Sequence, residues 1–129
     1  MTRFSHTFAL AAIAAAAIIA RPAAQTASIH SDFVKDWQGQ KDTLVKIAQA
    51  MPEDKFSFKA TPAQRSFGEH VLHIAQVNMM ILQTLGSKAP APQVNMKATS
   101  KADTIKAMSD TFDYGLAILK EQTDQTMVG

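Results

Sequence analysis

Residues 65 to 76, RSFGEHVLHIAQ, set His70 and His73 three positions apart directly after a Ser-x-x-Glu signature. Neutral imidazole is a common ligand of divalent metals, and a separation of three on a helix puts both rings on overlapping parts of one surface, within reach of one ion. The same spacing also suits two partly exposed, hydrogen-bonded helix histidines with no ligand role. Glu69, between Ser66 and His70, is expected to be spent on capping the helix rather than left free as a ligand. The apolar centre of that helix lies nearer Phe67, Ile74 and Leu85, and His73 points further from it than His70 does. His30 completes a conceivable set of three with His70 and His73, although it falls in an N-terminus expected to fray; His6 belongs to the leader.

Other chemistries find less support. The seven methionines are spread over the helices without a Met-x-x-Met series, which reads as core filling rather than copper ligation. Ser, His and Asp all occur, but no nucleophile elbow and no glycine-rich phosphate loop does. With no cysteine, disulfides and thiolate ligands are ruled out, so any metal site must use His, Asp, Glu or backbone groups. Asn78 falls within the apolar face of its helix, and a buried amide must find partners, so it is either structural or site-lining.

The chain of 129 residues, 47% hydrophobic and 19% charged, suits one small globular domain. Its start is different in kind. A short basic opening, MTR, precedes the apolar run FALAAIAAAAIIA and the small-residue stretch RPAAQTA, the layout of an export signal. The run is shorter than the roughly 20 apolar residues of a membrane-spanning helix, so residues 1–27 are read as a signal peptide cleaved near 24–27, with an uncleaved anchor as the alternative. The protein is accordingly expected in the periplasm or secreted, without membrane attachment after cleavage. Arg3 and Arg21 account for the whole formal charge of +2; from Gln25 onward acids and bases cancel, so the basic character gives no reason to expect nucleic-acid binding.

Three elements position the histidines. Phe33, Trp37, Leu44, Ile47, Ala48 and Met51 recur at helical steps and predict a first helix from Ser28 to Met51, ended by Pro52. Residues 53–64 predict an extended connection packed through Phe56 and Phe58, with a Thr-Pro turn. Ser66 and Glu69 form a capping box that opens a second helix running to about Leu85, where Gly86 stops it. That helix is apolar nearly all round and should be largely buried, so Leu72→Ala or Ile81→Ala is expected to cost roughly 2 to 5 kcal/mol and Gln83→Ala little. A proline-marked loop leads to a third helix capped by Ser100 and Asp103, with Ile105, Met108, Phe112, Leu116 and Leu119 as its stripe. The second helix has more apolar surface than two neighbours readily cover, which leaves a face for a further helix or another chain.

The order DWQGQKDTLVKIAQAMPEDKFSFKATPAQRSFGEHVLHIAQVN, a proline-containing loop, then SKADTIKAMSDTFDYGLAIL resembles the DinB-like four-helix-bundle family, regarded as metalloenzymes, over about residues 31 to 125. The resemblance implies an all-α bundle over residues 28–129 and a divalent ion, often zinc or nickel, held by three histidines. One of these is matched by His73, with His70 the weaker candidate; the other two belong to a His-x-x-x-His pair on a fourth helix. No histidine follows His73, so the fourth helix and two ligands are expected to be absent, which marks a fragment or a degenerate member that binds no metal tightly by itself. In its complete form the implied activity is that of a metal-dependent, in some relatives thiol-dependent, transferase, isomerase or hydrolase acting on a small molecule. The rival expectation is a metal-free helical module that binds another chain through its uncovered apolar face, a homodimer being the simplest case.

Overall fold

A computed structural model describes residues 28–128; residues 1–27, for which the sequence predicts a leader and its cleavage, lie outside the described residues. Those residues form α1 (Ile29–Ala50), α2 (Phe67–Leu82), α3 (Lys101–Lys120) and the short α4 (Asp124–Val128), with single 3-10 turns at Glu53–Lys55 and Gln83–Leu85 and no strand among them. The protein is all-helical, with three long helices and a fourth of five residues.

The helix starts obey local rules. Ser28, Ser66 and Ser100 each accept a hydrogen bond at the side-chain oxygen from the backbone N–H three residues on, satisfying one of the orphan donors of a first turn. At Ser66 the box closes in both directions, since the Glu69 carboxylate accepts from the Ser66 N–H. Gly86 adopts φ 65°, the left-handed conformation that ends the extended turn after α2 at little steric cost.

Helix α3 is the central element, packing on α1 and on α2, which meet each other only marginally. Lys101 Nζ donates to the carbonyls of Gln49 and Met51, while His30 Nε2 lies 2.8 Å from the Leu119 carbonyl oxygen, so α1 and α3 run antiparallel. Asn78 bonds Thr111, and Met79 and Leu82 pack with Tyr114 and Ile118, so α2 and α3 run parallel. Two parallel neighbours need a long return. Residues 86–100 supply it, held by Ser87 and Lys88 on Glu121 at one end and by Gln76 on the Met96 carbonyl further along.

The core gathers Ala48, Phe56, Leu72, Ala75, Met108 and Phe112 around α3. Phe56 fulfils the expectation of an aromatic anchor, meeting Phe67 edge-on at 5.4 Å, but Phe58 does not: it stands exposed, and the segment is a 3-10 turn rather than extended. Helix α2 is buried along one side only. Val71, Leu72, Ala75, Met79 and Leu82 face α3, whereas Met80 and Ile81 are 64% and 52% exposed. The physical reason is the layout: with α1 and α2 on different flanks of α3, nothing covers the far side of α2. The expected cost of Ile81→Ala therefore falls to a few tenths of a kcal/mol, while Leu72→Ala should still cost about 2 to 3 kcal/mol and Gln83→Ala almost nothing. Urea melts of the three variants check this order, and equal losses at positions 72 and 81 would refute the one-sided burial.

Candidate functional site

The incomplete cover leaves a cleft between α1 and α2, opposite the body of α3. Trp37, Asn78 and Leu82 lie at its base and Phe33, Ile81, Leu85 and Leu119 line its walls, enclosing about 210 Å³. Its base is anchored. Trp37 Nε1 donates to the Phe112 carbonyl at 2.8 Å, and the indole and phenyl rings sit 5.1 Å apart at 53°. The Asn78 amide donates to Thr111 Oγ1 at 3.3 Å, so Asn78 is both tied to the core and part of the lining. The walls are not satisfied in the same way: Phe33 is 55% and Leu85 56% exposed. A second depression, between α2 and the return segment, brings Met79, Met80 and Met96 beside Gln76 and Gln83, but it is shallow and mixed in polarity.

The histidines stand apart from one another. His70 is exposed, and rotation of about 100° per residue places it only about 20° from Ile81 around the helix, but about 12 Å along α2 from Asn78, outside the cleft lining. His73 is turned by about 80° from Ile81 and is half-buried, with Nδ1 at a long 3.4 Å from Gln76 Oε1. His30 is at the other end of the molecule. Its level is that of Leu82 and Leu119, about 13 Å along α2 from His73, so the set His30, His70 and His73 is not assembled. No group of three or more His, Asp or Glu side chains that could hold a metal ion occurs among the described residues.

The N-terminus expected to fray is clamped instead. The Asp124 carboxylate accepts from the His30 backbone N–H at 2.7 Å and from the Ser28 hydroxyl at 3.0 Å, binding α4 to the first turn of α1. The backbone bond from His30 holds the Asp124 carboxyl below its ordinary range, against an opposing desolvation and with the help of Ser28. Because the folded value is lowered, the clamp is at full strength above the ordinary aspartate pKa of about 3.9 and is lost as pH falls through the folded value. The His30 amide proton should therefore lose its hydrogen-bonded chemical shift on acidification in that range, and Asp124→Ala should remove the shift at every pH. A resonance that stays flat through the acid titration would refute the clamp.

Glu69 is engaged as the capping box requires. The Ser66 backbone N–H is the main cause of its lowered pKa, and Lys59 adds a 3.2 Å ion pair. A carboxylate so committed is not a free general base. The cleft was legible in the sequence only as a surplus of apolar residues on α2; Phe33 and Leu119 belong by period to buried stripes, and nothing local marks them as its walls. No helix among the described residues is long and apolar enough to cross a membrane. No family model, curated protein or solved structure matches the chain.

Proposed function

We propose that this chain is a helical docking module whose α1/α2 cleft receives an apolar helix face. The observation that carries this is the combination of an ordered base, Trp37 and Leu82, with unsatisfied apolar walls, Phe33, Ile81 and Leu85. Trp37 is the only tryptophan, so occupancy can be read directly. An apolar dye such as anilinonaphthalene sulfonate should bind dilute protein saturably and accept excitation energy from Trp37. Leu85→Glu should abolish the transfer without changing helix content. Absence of saturable transfer in the unaltered chain would end this reading.

A second reading is favoured by where the opening lies. A helix laid between α1 and α2 would complete a four-helix bundle, which is what the DinB-like resemblance anticipates, with His73 and His70 about 8 and 12 Å along α2 from the cleft residue Asn78. On this reading the arriving helix brings a His-x-x-x-His pair, His73 is the third ligand of zinc or nickel, and the complete bundle is a metal-dependent enzyme acting on a small molecule. Calorimetry on the chain alone should then show no tight zinc binding. Addition of an amphipathic peptide carrying His-x-x-x-His should create it, with affinity falling on acidification as protons compete for the imidazole nitrogens. His73→Ala should abolish that binding and His70→Ala should barely change it; the reverse order would transfer the ligand role to His70.

A further inference from the structure

We infer that the occupant of the α1/α2 cleft is a second copy of this chain, with Phe33 of each copy seated in the cleft of the other. The inference rests on the docking reading and names its partner. Three observations single out self-association.

The first is a match of size on one face. The cleft encloses about 210 Å³. A cavity of about 150 Å³ is enough to hold a benzene ring. Phe33, an exposed phenyl group, stands at the edge of that same cleft. Knob and hole on one surface is the arrangement a two-fold axis can use twice, since each copy then offers what the other lacks.

The second observation is charge. Near a two-fold axis every residue approaches its own counterpart, so any charged side chain there meets a like charge. From His70 to Ser87 the chain carries no Asp, Glu, Lys or Arg at all, although the rest of the chain past Gln25 has them in equal number. Charge depletion at the interface core is the compositional mark of associating surfaces, and here it coincides with the exposed side of α2.

The third is extent. Helix α2, with 16 residues, is about 24 Å long. With α1 alongside, the uncovered strip is about 20 Å wide, a projected area on the order of 500 Å² before corrugation is counted. That approaches the roughly 800 Å² per partner of a standard interface. The apolar leader segment is a poorer occupant, because Phe8 to Ala20 has no polar residue and would turn a second apolar face to water.

Sedimentation equilibrium of the full chain over about 1 to 100 μM, the range in which modest interfaces dissociate, should show a monomer–dimer equilibrium. Phe33→Glu should raise the dissociation constant by about 100-fold or more with unchanged circular dichroism, because an exposed residue is altered and a buried charge would result on pairing. Leu85→Glu, on the opposite wall, should act in the same way and stands in if Phe33→Glu misfolds. Since the chain has no cysteine, mixing a Phe33→Cys copy with a Leu85→Cys copy should give a crosslinked heterodimer under oxidation. A dimer indifferent to both glutamates would overturn the inference by placing association elsewhere. A monomer throughout whose cleft still binds dye, or binds an amphipathic peptide, would overturn the second copy while leaving the docking reading intact. A monomer that binds neither would remove both.

Discussion

Phe112→Ala should cost about 3 to 5 kcal/mol of folding free energy, close to the whole stability of many domains of this size. Phe112 is 2% exposed, on the helix that holds the other two together. Its ring supports the indole of Trp37 from α1, and its own backbone carbonyl receives the indole N–H. Truncation leaves that hydrogen bond nominally possible but opens a phenyl-sized void beneath the tryptophan, and interiors relax into such voids only in part. Urea denaturation gives the size of the loss, and Trp37 emission should shift to the red in the folded variant as water reaches the ring. A cost below about 1 kcal/mol would mean that the α1–α3 contact is not the anchor described.

Gly115→Val should be of similar severity, about 3 kcal/mol or more, by the opposite mechanism. A Cβ at Gly115 would fall inside the van der Waals envelope of the Trp37 six-membered ring and its Nε1. Helix propensity favours the substitution by about half a kcal/mol, since glycine is a poor helix residue. Steric overlap wins because the obstructing group is a rigid ring, not a flexible tip. The indole could swing away only by giving up its bond to the Phe112 carbonyl, which would leave a partly buried donor without a partner. Gly39→Ala is the matched control. It too lies inside a long helix, but a Cβ there meets nothing within 4 Å, so the variant should gain about 0.5 to 1 kcal/mol. Opposite signs at two helical glycines would show that packing, not propensity, decides at position 115; a stabilised Gly115→Val would refute the close approach of Trp37.

Both substitutions also bear on the cleft, since Trp37 forms its base. Loosening the indole should weaken dye transfer and self-association along with stability, whereas Leu85→Glu should weaken dye transfer and association without the loss of stability. That contrast separates damage to the scaffold from damage to the docking surface.

Much of the helical framework could be read from the order of residues. Ser66 and Glu69 are three apart and close the reciprocal capping box, and Ser100 caps the N–H of Asp103 at the same spacing, though the Asp103 carboxylate takes the Ser100 hydroxyl rather than its backbone N–H. Pro52 and Gly86 act at their own positions through backbone geometry. These features are legible because their hydrogen bonds and steric limits span four residues or fewer. The cover on an apolar side chain has no such short range. Leu72 and Ile81 are both apolar residues of one helix, yet α3 buries the first and nothing reaches the second. His30 looked like part of a loose end because its partners, Leu119 and Asp124, are 89 and 94 positions away. The long return from Gly86 to Ser100 makes α2 parallel to α3 and leaves its other flank open. Local chemistry thus determined about where each of the three long helices begins and ends and which residues it offers, but did not mark α4; only the tertiary arrangement decided which of those residues were left facing water, because burial depends on what the distant chain brings alongside.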